Sequence, residues 1–276
     1  MSLGTSVPEL AIGIDAAVSG SPGLAVGNIV GTNLVNILLI LGLSALLVPI
    51  AFERATLRFD LPAMTAAALL LFLLSIDGTL TRLDGGILLL GGVAYTTGVV
   101  RVGGRETSDM AKDPADTGAA ASDHRPLRQA LLLVAGMAVV VVGAELLVDG
   151  AVSSARALGV SDTVIGLTIV AIGTSAPELV TTVMSTLRGD RDIAIGNLIG
   201  SSIYNIGAIL GLTILVAPHG LPVPADVLAG DLVLLAVVAA AAVPVFLSGA
   251  RIARIEGGLF VGTYIGYLTW LLLART

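Results

Sequence analysis

Long apolar segments separated by short polar ones dominate the chain, and they lie at residues 24–49, 61–79, 84–103, 128–148, 161–188, 193–218, 229–248 and 256–274. Each is close to the roughly 20 residues that a helix needs to cross the hydrocarbon core of a bilayer. The first stretch, 1–19, is apolar but short and has no charged flank, so we expect the second half of a helix whose first half is missing. The pattern predicts an all-α polytopic membrane protein.

Residues 104–127 form a long polar stretch that mixes Gly, Ala, Asp, Ser and Pro without a period. This composition favours a flexible linker between two halves, 1–103 and 128–276. Only 12% of the residues are charged and 55% are hydrophobic. A soluble domain carries about 25% charged residues, so this chain could not cover a water-facing surface as a soluble enzyme does. The net charge of −6 argues against a nucleic-acid partner.

Basic residues predict how the chain sits in a cell membrane. Assigning alternate loops to two faces places a large group together, namely Arg54, Arg58, Arg101, Arg105, Lys112, Arg125, Arg128, Arg188, Arg191, Arg251 and Arg254. The opposite face receives only Arg82, Arg156 and Arg275. Because Lys and Arg accumulate on the cytoplasmic side, we expect a cytoplasmic linker and an external carboxyl terminus.

The two halves contain an internal repeat. Residues 4–49 align without gaps to residues 173–218, and 19 of the 46 positions are identical. The matches include GTSVPEL with GTSAPEL, and GNIVGTNLVNI with GNLIGSSIYNI. Five predicted spans separate the ends of the two GTS-containing helices. Because five is odd, the copies should cross the membrane in opposite directions, an arrangement typical of transporters with a site at the membrane midplane.

Glu9 and Glu178 occupy equivalent positions of the two copies. An ionisable group within a span costs about 2.5–3.5 kcal/mol or more. No span contains a central Arg or Lys to pair with either carboxylate. We therefore expect these residues to bind a cation that comes from outside the protein.

The residues beside each glutamate add oxygen ligands. Pro8 and Pro177 lack an amide hydrogen, which should leave the carbonyl groups of Gly4 and Gly173 unpaired. The hydroxyl groups on the same turns belong to Thr5, Ser6, Thr174 and Ser175. Broken helices of this kind are tolerated in membranes where they line a cavity or bind an ion.

The second repeated motif adds hydroxyls and amides. Thr32 and Asn36 lie four residues apart and share one helix face, as do Ser201 and Asn205 in the other copy. All these ligands are oxygens, which favours a hard cation, and together they could supply the 6–8 oxygens that Ca²⁺ takes. One Ca²⁺, two Na⁺ or two protons would neutralise the two glutamates. Our hypothesis is that the site can pass through the apolar barrier region only when bound ions have made it nearly neutral. Each passage would then require a bound ion, and this requirement forces exchange.

On these motifs the sequence resembles the cation/calcium exchanger superfamily, and specifically its bacterial and archaeal sodium/calcium antiporters. The resemblance implies ten spans in two inverted-topology repeats, with the first span and a half missing here. It also implies one Ca²⁺ site alternating with Na⁺ sites, Ca²⁺ and Na⁺ as transported substrates, and no cofactor. Glu9 and Glu178 would be shared ligands, surrounded by Thr5, Ser6, Thr32, Asn36, Thr174, Ser175, Ser201 and Asn205.

Two alternatives stay open at this point. A desolvated glutamate can carry a proton, and Asn stands at position 205 where some family members have Asp, so a Ca²⁺/H⁺ exchanger competes with the Ca²⁺/Na⁺ antiporter. A truncated remnant that does not transport is the other alternative. The lipid bilayer is the expected environment, and a single chain would suffice for transport, although the oligomeric state is open.

Asp60 and Asp231 each open a predicted span, and we interpret them as helix caps.

Overall fold

The computed structural model describes residues 6–52, 56–110, 126–247 and 251–275. The described residues form helices almost throughout, which we number α1 (Val7–Val18), α2 (Pro22–Leu47), α3 (Thr56–Leu74), α4 (Arg82–Met110), α5 (Pro126–Ala157), α6 (Asp162–Thr174), α7 (Ala176–Arg188), α8 (from Arg191 to Val216), α9 (from Val227 to Leu247) and α10 (Arg254–Arg275).

Every apolar segment predicted from the sequence contains a helix. Among the described residues, six helices are long and apolar enough to cross a membrane, and α6 with α7 forms a seventh candidate that is bent by 44°. Helix α4 continues to Met110, beyond the predicted start of the linker at residue 104. Residues 111–125 of that linker lie outside the described part of the chain. The prediction of a helical polytopic membrane protein is therefore confirmed at this level.

The serine of each GTS motif directly precedes a helix and has nearly the same backbone conformation in the two halves. Ser6 precedes α1 with φ −87° and ψ 10°, and Ser175 separates α6 from α7 with φ −78° and ψ 2°. In both cases a proline follows within the first two helical residues. The missing amide hydrogen costs no hydrogen bond there, because amides of the first turn have no partner within the helix. The equivalent sequences thus give equivalent local backbones.

Both copies of the second motif contain a π-helical turn. The turn in α2 covers Val35–Ile40, and the turn in α8 covers Asn205–Leu210. Such turns insert an extra residue into the helix and are common at functional sites. Here they carry Asn36 and Asn205, two of the predicted ligands.

Short strands join the two halves of the chain. Strand β1 (Ile50–Ala51) pairs antiparallel with β4 (Arg251–Ile252), and β2 (Thr79–Leu80) pairs antiparallel with β3 (Leu221–Pro222). In each half, one strand follows the helix of the second motif and the other precedes the last helix of that half. In both pairings, the strand that follows the second-motif helix of one half pairs with the strand that precedes the last helix of the other half.

Paired glycines bring helices of the two halves together. A Cβ atom at Gly257 would lie 2.6 Å from the carbonyl oxygen of Gly42, so α10 and α2 touch along their backbones. A Cβ at Gly85 would lie 3.0 Å from the carbonyl oxygen of Gly211, and α4 and α8 meet in the same way. Small residues at such crossings permit the close packing that stabilises membrane helices.

The interpretation of Asp60 and Asp231 as helix caps is wrong. Helices α3 and α9 begin at Thr56 and Val227, so both aspartates lie inside a helix, and Asp60 makes no capping hydrogen bond. Each carboxylate instead accepts a hydrogen bond from a tyrosine of the neighbouring helix: Tyr95 donates to Asp60 at 3.0 Å, and Tyr267 donates to Asp231 at 2.9 Å. The matched Asp and Tyr positions of the repeat are therefore structural partners.

Candidate ion-binding site

The helix breaks and the π-helical turns surround a group of polar side chains that is buried in the protein. Glu9 lies in the first turn of α1 and Glu178 in the first turn of α7, and both are 0% exposed. Ser6, three residues before Glu9, contacts Ser201, which donates a hydrogen bond to Glu178, so one contact links the helix ends that carry the two carboxylates. Two like charges in one buried site are unfavourable unless a counter-charge is bound there.

A chain of hydroxyl groups connects the halves beside Glu178. The Ser201 hydroxyl lies 3.0 Å from Oε1 of Glu178, to which it donates, and its oxygen is also 3.0 Å from the hydroxyl oxygen of Ser6. All three side chains are at most 1% exposed. A hydrogen bond to a carboxylate is stronger than one between neutral groups, so it holds Glu178 in a defined orientation.

On the other side of the site, Asn28 organises two threonines. Its Oδ1 accepts weak hydrogen bonds, both at 3.4 Å, from the hydroxyls of Thr32 and Thr174, and its Nδ2 donates to the carbonyl oxygen of Glu9 at 3.4 Å. The hydroxyl oxygens of Thr32 and Thr174 are themselves 3.4 Å apart. These contacts place α2 against both helix breaks.

Several buried polar side-chain atoms of these helices make no hydrogen bond to any described residue within 3.5 Å. They are both carboxylate oxygens of Glu9 and both side-chain atoms of Asn36 and Asn205. A buried polar group without a partner loses its hydration and costs about 1–3 kcal/mol, more if it is charged. Three such side chains, from both halves, are therefore candidates for contact with a bound ion.

The predicted ligands differ in how the structure places them. The hydroxyl of Ser6 contacts that of Ser201, and the hydroxyl of Thr32 contacts that of Thr174. The Ser175 hydroxyl instead bonds to the carbonyl oxygen of Ala171 at 2.7 Å. Gly173 is buried at the helix break. Gly4 and Thr5 lie outside the described residues.

Sequence reasoning did not name Asn28 among the ligands, although it holds the two threonines together. The available signal was its position four residues before Thr32 on one helix face. Its equivalent in the second half, Asn197, is also buried.

The chemistry of this site suits a hard cation. Its donors are carboxylates, amides and hydroxyls, and the only basic residues of α1, α2, α7 and α8 are Arg188 and Arg191 at helix ends. Among the described residues there is no cluster of three or more His, Cys, Asp or Glu. The site therefore offers two negative charges and neutral oxygens, a donor set that fits Ca²⁺ or Na⁺ better than a transition metal.

Known proteins are similar in sequence to this chain over most of its length. The family model described as sodium/calcium exchanger protein matches residues 1–100 and 128–273. A protein of Alkalimonas amylolytica with the provisional name antiporter CaxA is 38% identical over 271 residues, which cover 97% of this chain and 84% of that protein. The sodium/calcium exchanger MaX1 of Methanosarcina acetivorans is 31% identical over 251 residues, covering 79% of this chain and 72% of that protein.

The fold is also found among solved structures. A structure of the sodium-calcium exchanger NCX_Mj, soaked with Na⁺ and Sr²⁺, superposes with a TM-score of 0.77 at 31% sequence identity. The match covers 98% of this chain and 84% of that one. The unmatched residues between the two family segments coincide with the polar linker. The chain therefore belongs to the sodium/calcium exchanger family of ion-transporting membrane antiporters.

Proposed function

We propose that this protein exchanges Ca²⁺ for Na⁺ across the cell membrane by alternating access. The observation that carries the proposal is that Glu9, Asn36 and Asn205 are buried and make no side-chain hydrogen bond to any described residue, on helices that pack against one another. Groups of this kind need a cation to replace lost hydration. Two of the similar proteins, MaX1 and NCX_Mj, are named as sodium/calcium exchangers, which favours the same substrates here.

The proposed ligands come from both halves of the chain. They are the residues singled out by the repeat, namely Glu9, Glu178, Asn36, Asn205, Ser6, Thr32, Thr174 and Ser201, with Gly173 at the helix break and Gly4 and Thr5 at the equivalent break of the first half. Ser175 is kept as a residue of the break, since its hydroxyl bonds to the backbone. No cofactor is proposed, because the ions are the cargo.

The proposed architecture is two inverted repeats within a ten-span exchanger fold. The strand pairings and the glycine contacts support it. Each joins the second-motif helix of one half, or the strand after it, to the last helix of the other half, or the strand before it. Inverted repeats can exchange conformations, so that a central site opens to one side of the membrane and then to the other. We place the linker in the cytoplasm and the carboxyl terminus outside, from the distribution of basic residues.

Charge balance explains why such a site would exchange ions instead of leaking them. The two glutamates contribute −2, which one Ca²⁺ or two Na⁺ neutralises. An unloaded or half-loaded site would carry net charge into the apolar barrier, at a cost of several kcal/mol. The protein could then change conformation only when loaded with one ion species or the other.

The test is Ca²⁺ uptake into proteoliposomes under a Na⁺ gradient and, separately, under a pH gradient. We expect Na⁺-driven uptake that Glu178→Gln abolishes, while the exposed Asp149→Asn leaves it unchanged. Uptake driven only by the pH gradient would assign the protein to Ca²⁺/H⁺ exchange. Uptake without any counter-ion, or no uptake at all, would contradict the proposal of an antiporter.

A further inference from the structure

The buried face of α7 stays polar beyond the ion site. Thr182 and Thr186 follow Glu178 at intervals of four residues, so the three side chains form one stripe along the helix. At 1.5 Å per residue the stripe extends about 12 Å from Glu178 towards the end of α7 at Arg188. Thr182 is 1% exposed and Thr186 is 2% exposed.

Within the described part of the chain, the hydroxyls of these two threonines have no hydrogen-bond partner. Other threonines within the helices solve this problem by donating to the carbonyl oxygen four residues earlier. Thr181, next to Thr182 in sequence, does so to Pro177 at 2.7 Å, and Thr213 does so to Ile209 at 2.8 Å. Thr182 and Thr186 thus do not donate to the carbonyl oxygen four residues earlier, although it is the usual acceptor for a threonine within a helix.

The equivalent face in the first half is apolar and tightly packed. Gly13 and Ala17 stand at the positions of Thr182 and Thr186. A Cβ atom at Gly13 would lie 2.8 Å from the hydroxyl oxygen of Thr213, so α1 packs directly against α8 there. The corresponding residue to Thr213 in the other half is Ser44, on the part of α2 that contacts α7, and its buried hydroxyl also lacks a partner.

We propose that Thr182 and Thr186 line the path by which ions travel between the buried site and the membrane face at Arg188, with Ser44 on the opposing helix. The inference deepens the proposed exchange function and rests on it. A cation that leaves water must be met by oxygen atoms along its way, and hydroxyls that no protein group occupies supply them. In the proposed orientation this is the cytoplasmic path. At the equivalent positions of the first half, Gly13 and Ala17 offer no hydroxyl.

The first experiment replaces both hydroxyls by methyl groups of similar size in the variant Thr182→Val/Thr186→Val. We expect Ca²⁺ transport in proteoliposomes to fall at least about tenfold, since the lost oxygens raise the barrier to ion passage by about 1.4 kcal/mol. Equilibrium Ca²⁺ binding should stay unchanged, and the melting temperature should stay level or rise, because removing an unpaired buried hydroxyl costs no hydrogen bond. Thr181→Val is the matched control and should transport normally.

Two results would overturn the proposal. Transport at the normal rate in the double variant would show that ions do not use this face. A lower melting temperature together with weaker Ca²⁺ binding in the double variant would show a structural role instead. If the unmodified protein binds and transports no Ca²⁺, the proposed exchange function itself fails, and that outcome is distinct from both.

The second experiment measures access directly. The chain contains no cysteine, so Thr182→Cys and Thr186→Cys each introduce a single reactive thiol. We expect a charged, membrane-impermeant thiol reagent to modify both from the Arg188 side only, and saturating Ca²⁺ to slow the reaction at position 182 more than at 186. Val180→Cys, on the exposed side of the same helix, should show no such Ca²⁺ protection. Absence of labelling at both threonine positions in a variant that still binds Ca²⁺ would contradict the path.

Discussion

The hydroxyl oxygens of Ser6 and Ser201 lie 3.0 Å apart, although 195 residues separate them along the chain. Ser6 directly precedes α1 in the first half, and Ser201 belongs to the second motif of the other half. Since Ser201 also donates to Glu178, this contact ties the start of α1 to the glutamate of the opposite repeat. The candidate site is therefore formed by residues of both halves.

Removing the Ser201 hydroxyl should weaken ion binding. Ser201→Ala removes a hydrogen bond to a carboxylate, which is worth about 1.5–3 kcal/mol, and leaves Glu178 less well oriented. We expect Ca²⁺ affinity, measured by isothermal titration calorimetry, to fall about tenfold or more. Ser201→Thr should restore most of it, because threonine occupies the equivalent position 32. Unchanged affinity in Ser201→Ala would show that Glu178 is positioned by other contacts.

Adding a carboxylate to the site should favour divalent ions. Asn205→Asp places a third negative charge where an unpartnered amide now stands. We expect Ca²⁺ affinity to rise about tenfold, because affinity in oxygen sites increases with ligand charge. Exchange under a fixed Na⁺ gradient should slow, since two Na⁺ no longer neutralise the site. Asn205→Leu should weaken Ca²⁺ binding, and equal affinities in the two variants would place position 205 outside the site.

The ion pair of the second half should be important for stability. The Asp231 carboxylate is 0% exposed and accepts hydrogen bonds from Arg275 at 2.7 Å and Tyr267 at 2.9 Å. Arg275→Gln would leave a buried charge without its partner, which costs about 3–5 kcal/mol. Thermal unfolding in detergent should show this loss, and the double variant Asp231→Asn/Arg275→Gln should recover part of it.

Asp60 provides the control for that prediction. It stands at the position equivalent to Asp231, but the residue equivalent to Arg275 is Gly103, and Asp60 accepts a hydrogen bond from Tyr95. We expect Asp60→Asn to change stability by less than about 1 kcal/mol, since an amide oxygen still accepts the tyrosine proton. A loss as large as that of Arg275→Gln would show that Asp60 also has a cationic partner.

Close glycine contacts predict a third class of effect. Gly257→Val would drive its side chain into the carbonyl oxygen of Gly42, and overpacking of this kind costs about 1–3 kcal/mol. Gly258→Ala is the matched control, because the nearest atom to its Cβ would be 3.8 Å away. The melting temperature of the first variant should fall while that of the second stays level. Equal melting temperatures would mean that α2 and α10 can separate without loss.

The sequence was most informative where the physical constraint is local. A helix that spans a bilayer must be apolar over a known length, so the positions of the helices follow from hydropathy alone. The repeated Pro8 and Pro177 predicted helix breaks because proline lacks an amide hydrogen. In the second half a 44° bend occurs at Ser175, and in the first half a helix begins directly after Ser6. The internal identity between the halves also indicated which polar residues belong together.

Tertiary structure decided which partner each polar group received. From sequence, Asp60 and Asp231 were equally compatible with caps, but only packing brings Tyr95 and Tyr267 within hydrogen-bond distance of them. Likewise Thr181 and Thr182 are the same residue type in one helix, yet one hydroxyl bonds to the backbone and the other is left unpartnered. Hydropathy and spacing determine which residues enter the membrane interior. Which buried oxygens remain available to an ion depends on contacts between helices far apart in the chain, and these exist only once the chain has folded.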